Sequence, residues 1–194
     1  MKRLFLPALF AAALSSCIGV QSQISLGRDG SGTLRLSYRI SQFLRESQEL
    51  PLPVSREDFQ RAVAAAPGLR LEALSQREDE QDVTIEARIG FDRVEALNAL
   101  GDRLGLSYSE QEGGHLFRQR LYSGQPPGGV SAESLKMAEA FFQGYEVSLE
   151  LSSPVPILTH SLGTLSEDGR SLRYQTTILE LLKQKNEVTL EVAW

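Results

Sequence analysis

Asp29-Gly30-Ser31-Gly32-Thr33-Leu34-Arg35-Leu36-Ser37-Tyr38-Arg39-Ile40 decides how this chain folds. Leu34, Leu36, Tyr38 and Ile40 alternate with Arg35, Ser37 and Arg39. A period of two gives a strand one apolar and one wetted face, the mark of a half-buried antiparallel strand. The Asp29-Gly30 step just before it supplies the positive φ of a tight hairpin turn. Residues 20–27 are therefore read as the partner strand.

The same alternation recurs along the chain. Val83, Ile85, Ala87 and Ile89 face one way and Thr84, Glu86 and Arg88 the other. A strand near 69–77 precedes them, turned at Glu78-Asp79-Glu80. Gly113-Gly114 turns a further hairpin, 106–111 into 115–122. Tyr145, Val147, Leu149 and Leu151 form one later strand, and Leu172, Tyr174, Thr176 and Ile178 another, after Glu167-Asp168-Gly169. Val188, Leu190, Val192 and Trp194 end the chain on a strand. Repeated turn chemistry explains the echo of Asp29-Gly30 in Asp168-Gly169 as well as duplication does.

Three helices interrupt the strands. Ser55 with Asp58 three residues on is a capping box, and Val54 with Phe59 a hydrophobic staple, for a helix to about residue 66 that Pro67-Gly68 stops. Asp92 with Glu95 predicts a second capping box, on a helix with the stripe Phe91, Val94, Leu97, Leu100 and Leu104 and a stop at Gly105. Ser131 predicts a third helix to about residue 143. One-faced strands and one-striped helices must bury against each other. The expected fold class is α+β: a mainly antiparallel twisted sheet, or two sheets, built from hairpins, with about three helices on one face.

The start of the chain carries a separate message. Met1-Lys2-Arg3 precedes an apolar run over 4–14, and Leu14-Ser15-Ser16 leads to Cys17, the only cysteine. A basic start, a short apolar core and small residues at the cut describe a secretory signal peptide. The run is too short to span a bilayer, which takes about 20 apolar residues, and Pro7 breaks it. An ordinary signal peptide with a chance cysteine is the alternative. The reading is a lipoprotein leader over 1–16 and one lipidated domain over 17–194, with Cys17 as the lipid attachment site. Palmitate would label Cys17 and not its serine variant. One acyl chain binds a membrane reversibly, and two or three hold it firmly.

Composition narrows the partners. The chain has 25 acids against 20 bases, a net charge of −5, and losing Lys2 and Arg3 with the leader takes it to about −7. No basic patch of the kind nucleic-acid binders carry is visible, so no nucleic acid is expected. Beyond Cys17 there is no thiol for disulfides or redox chemistry. Motifs for chemistry are missing: no HExxH or CxxC for zinc, no GxSxG elbow, no phosphate loop or GxGxxG fingerprint. His115 and His160 are read as strand or loop residues. His160-Ser161 would place neighbouring side chains on opposite faces, not in a dyad. Glu78, Asp79, Glu80 and Asp82 read as a solvated hairpin tip, and Phe141-Phe142 as core. No enzyme, cofactor or metal is expected.

Cys17, the Asp29-Gly30-Ser31-Gly32 turn, the strand over 33–40, Pro154-Val155-Pro156, Glu167-Asp168-Gly169-Arg170, Tyr174 and Trp194 together resemble the LppM-like bacterial lipoproteins, in outline over most of the mature chain. That resemblance implies an α+β domain behind a lipidated cysteine at the cell envelope, with a lipid- or glycolipid-binding role. It supplies no catalytic residue. Some relatives carry a membrane helix after the domain. This chain ends at Trp194, so the expectation is a sole anchor at Cys17. Ile18 rather than Asp after that cysteine leans toward the outer membrane in a two-membrane cell. Two functions follow as expectations: binding of lipid or another apolar ligand between sheet and helices, or a scaffold or adaptor role toward another envelope protein through the acidic surface and the loop 124–129.

Overall fold

The structure is a computed structural model that describes residues 19–42, 52–80, 82–126 and 129–194. Cys17 and the leader lie outside these residues, as do Pro51, Pro127 and the side chain of Phe141. The quoted stretch forms the hairpin β1 (Gly19–Leu26) and β2 (Gly32–Ser41). Gly30 sits at φ +81° in its turn. The amide and hydroxyl of Ser31 donate to the Asp29 carboxylate at 3.1 and 2.7 Å, holding that carboxyl below its ordinary range.

Helix α1 (Arg56–Ala64) carries the expected capping box, with Ser55 Oγ accepting from the Asp58 amide. Strands β3 (Leu69–Glu78) and β4 (Asp82–Phe91) follow. Then come β5 (Leu106–Gln111), β6 (Gly114–Tyr122), α3 (Ala132–Phe142) and β7 (Glu146–Ser152). The short β8 (Thr159–His160) and β9 (Thr164–Leu165) precede β10 (Ser171–Thr177), and β11 (Val188–Ala193) closes the chain.

These strands make two sheets, one of seven in the order β3-β4-β2-β1-β7-β10-β9 and one of four in the order β5-β6-β11-β8. All pairs are antiparallel except β1 with β7, which run parallel. The fold class is α+β, as the alternating pattern predicts. On the large sheet's inner face, Leu34, Leu36, Tyr38 and Ile40 meet the apolar positions of β4, α1, the small sheet and Trp194 in one core. A bulge at Glu72 shifts β3 by one residue, so Leu69 and Leu71 before it and Leu74 after it all fall opposite buried residues of β4. That single extra residue is how a strand with broken alternation still buries one face. Inside the core, Ser22 Oγ donates to Gln119 Oε1 at 3.4 Å, a polar link between the two sheets.

Two local expectations are corrected. The segment after β4 is a 3₁₀ helix, Val94–Leu100, running into a single α turn, α2 (Gly101–Leu104). Phe91, expected to begin the helical stripe, is the last residue of β4. Val94, Leu97 and Leu100 are buried at spacing three, the period of a 3₁₀ helix, and only Leu100 to Leu104 has α spacing. No capping box forms there. Asp92 continues the β4 backbone, its amide donating to Gly68 O at 2.9 Å, and its carboxylate pairs with Arg70. The second correction is Ile178. It starts a short helix, α4 (Ile178–Leu182), capped by Thr177, where alternation alone predicts strand. α4 and α3 enclose a second apolar cluster, with Tyr122, Tyr145 and Val147.

Gly105 ends α2 at φ +67°, and a Cβ there would stand 2.6 Å from the Arg120 carbonyl oxygen. Gly105→Ala is expected to destabilise by about 1–3 kcal/mol, measured by chemical denaturation. Tyr145 ties the entry of β7 to the other strands. Its phenol donates to Asp82 Oδ1 at 2.5 Å. Arg39 pairs with the same carboxylate at 3.3 Å and lies 4.2 Å over the Tyr145 ring. Burial, then the Asp82 bond and charge, push the Tyr145 phenol up to about 12. A phenol held protonated in the folded state stabilises fully below its unfolded value of about 10 and loses that stabilisation as pH rises through the folded one. The stability advantage of the parent over Tyr145→Phe is therefore expected to be intact at about pH 9 and to shrink between about pH 10 and 12.

Candidate functional site

The inner sheet face, where the sequence reading places an apolar ligand, is filled by side chains. Leu34, Ile40, Phe91 and Leu151 are wholly buried. Two concavities among the described residues open elsewhere. One, of about 540 Å³, lies at the end of the sandwich where β1 turns into β2.

Tyr108, His115 and Trp194 form its floor. Asn98, on the 3₁₀ helix, clamps Tyr108 by its backbone: the Tyr108 amide donates to Oδ1 at 2.6 Å, and Nδ2 donates to the Tyr108 carbonyl at 3.0 Å. The Tyr108 hydroxyl and His115 Nδ1 share a hydrogen bond of 2.6 Å. Trp194 joins through the ladder between β6 and β11, its amide donating to His115 O at 3.2 Å and its carbonyl accepting from His115 N at 2.9 Å. The three rings then lie within 5.7–6.3 Å of one another, centre to centre, the range of favourable ring pairs. Burial, then the charges of Glu95 and Glu110, push the Tyr108 phenol up, with Arg93 opposing.

Leu26, Val94 and Val155 add apolar wall, and Arg28, Arg93, Glu95 and Glu110 stand in the same lining. The Pro154-Val155-Pro156 segment is fixed at both ends: the Ser153 amide donates to Arg170 O at 2.8 Å, and the Leu158 amide to Ala193 O at 2.8 Å. This leaves Val155 and Leu158 exposed, at 45% and 68%. An aromatic floor with charged groups of both signs around it can hold an amphipathic molecule, its apolar part against the rings and its polar part among the charges.

His115 is a strand residue, as its sequence context suggests, and also a member of this floor. No local pattern marks Tyr108 as a site residue, and Trp194 is legible only as the end of an alternating strand and as part of the family resemblance. His160 lies away from the pocket, with Nδ1 3.2 Å from Leu162 O. Ser161 Oγ donates to Thr189 O at 3.2 Å and accepts from the Glu191 amide at 2.9 Å, so it fastens β11. Asp82, at the acidic hairpin, is held by Arg39 and Tyr145. Phe142 packs edge-on against Tyr145 at 6.1 Å. Among the described residues, no helix is long and apolar enough to cross a membrane.

The chain has an LppM-like α+β fold. The folded domain of LppM from Mycobacterium tuberculosis, solved by NMR, superimposes with a TM-score of 0.51 at 12% sequence identity, covering 91% of this chain and 88% of that one. At this identity the likeness concerns the fold. No family model and no curated protein sequence matches the chain.

Proposed function

We propose that this chain is an LppM-like lipoprotein of the bacterial cell envelope, anchored through a lipid on Cys17, that binds an apolar or amphipathic ligand, a lipid foremost, and catalyses no reaction. The observation that carries the binding is the ring floor of Tyr108, His115 and Trp194 beneath a cavity of about 540 Å³, within the 300–1,000 Å³ of common ligand sites.

The anchor supports a definite orientation. Cys17 is two residues before Gly19, the first residue of β1, and two residues reach at most about 7 Å. The pocket borders Leu26 and the turn beyond it, at the other end of an eight-residue strand, roughly 25 Å away. A lipid on Cys17 puts the Gly19 end at the membrane and the pocket away from it, so the ligand is held clear of the bilayer.

Trp194 is the only tryptophan, so its emission reports on the pocket. Titrating the full-length protein, stripped of co-purified lipid, with a lysophospholipid is expected to shift Trp194 emission saturably. Tyr108→Ala is expected to remove most of that response. No emission change with any envelope lipid, and no lipid found in the purified protein by mass spectrometry, would overturn the ligand reading. The adaptor reading draws on the exposed Val155, in the pocket lining, and the exposed Leu158 three residues on. Crosslinking of an envelope protein to this loop, with Trp194 silent to lipid, is the outcome that favours it.

A further inference from the structure

The outward face of the large sheet carries a second concavity, of about 570 Å³, remote from the ring floor. Strand register sets Arg88 of β4 directly opposite Arg35 of β2, with Gln23 of β1 opposite Arg35 on its other side. The next cross-strand row sets Ser75 and Ser37 on either side of Glu86.

The acids of this face already have partners. Glu86 pairs with Arg77, and Glu146 accepts from the Gln175 side-chain amide at 2.9 Å. Glu150 accepts from Arg173 at 2.9 Å and from Gln23 at 3.3 Å. Arg35 and Arg88 are left over. Both are exposed, and neither has an ion pair or hydrogen bond among the described residues. Like charges directly opposite on neighbouring strands are unfavourable, yet this pair stands in a chain with five more acids than bases. Two arginines at one cross-strand position can bring two guanidinium forks to the oxygens of a single phosphate. Hydroxyl and amide side chains beside them suit hydroxyl groups, and the groove has no aromatic floor for an acyl chain.

We propose that this face binds a phosphorylated sugar free in the aqueous phase, its phosphate between Arg35 and Arg88 and its hydroxyls met by Gln23, Ser37 and Ser75. The site stands on the strand register alone and is independent of the Cys17 anchor and of the ring-floored pocket.

Calorimetric titration of the full-length protein in neutral detergent micelles with glucose 6-phosphate tests it. Saturable binding is expected, with glucose and inorganic phosphate each weaker by at least about tenfold. Arg35→Gln and Arg88→Gln are each expected to weaken binding by at least about tenfold, without lowering the melting temperature. Arg56→Gln, on α1, is expected to leave it unchanged. Equal affinity for inorganic phosphate, unaltered affinity in both arginine variants, binding only to vesicles of anionic phospholipid, or no saturable binding would each overturn the proposal.

Discussion

Removing residues 187–194 is expected to unfold the protein rather than trim it. β11 is an inner strand of the small sheet, paired with β6 along its length and with β8 at Val192 and Ala193. Its loss would leave β6 an open edge and β8 without its sheet. Leu190 and Val192 are wholly buried, and Trp194 nearly so. Full burial of one such aliphatic side chain is worth about 1.5–3 kcal/mol, and a domain has only about 5–15 kcal/mol in total. The backbone groups freed along β6 add to the deficit, because buried ladder groups must find partners. Circular dichroism and thermal melting read the outcome: the truncated chain is expected to show no cooperative transition. A native-like spectrum with a sharp melt would contradict the place of β11 in the core.

Replacing Cys17 with serine is the second change expected to have a large effect. In the proposed reading, the lipids on this residue are the attachment to the bilayer. Two buried acyl chains hold a protein stably, and one only marginally, at about 0.8 kcal/mol per methylene. The described part offers no spanning helix to take over, and the mature chain's net negative charge gives no long-range attraction to anionic lipid. The serine variant is therefore expected to move almost entirely from the membrane pellet to the soluble fraction. Its melting temperature should match that of the parent released in detergent, because residue 17 precedes the first strand. Retention in the pellet after an alkaline carbonate wash would show another anchor.

What the sequence made legible, and what it left hidden, follows from the range of the forces involved. The alternation at Leu34, Leu36, Tyr38 and Ile40 and the reciprocal cap of Ser55 and Asp58 depend on neighbours a few residues apart, and both stand in the structure as read. The stripe at Val94, Leu97 and Leu100 is legible, but its spacing of three belongs to a 3₁₀ helix, while the α spacing is confined to the step from Leu100 to Leu104. Ile178 kept the strand period while Thr177 offered a cap to Glu180, and the local cap prevailed. The parallel pairing of β1 with β7 joins segments more than a hundred residues apart, which no local pattern encodes. The same holds for the candidate sites. Tyr108, His115 and Trp194 come together only once β5, β6 and β11 are paired. Arg35 and Arg88 become neighbours only through the register of β2 with β4.

The central claim is that a lipid on Cys17 holds this domain by the Gly19 end of β1. Intact-mass spectrometry of the protein extracted from bacterial membranes tests it most directly. The expected species begins at Cys17, lacks residues 1–16 and carries the added mass of a diacylglyceryl group, with or without a further acyl chain. A chain that retains residues 1–16, or one that starts near Cys17 with an unmodified thiol, would contradict it.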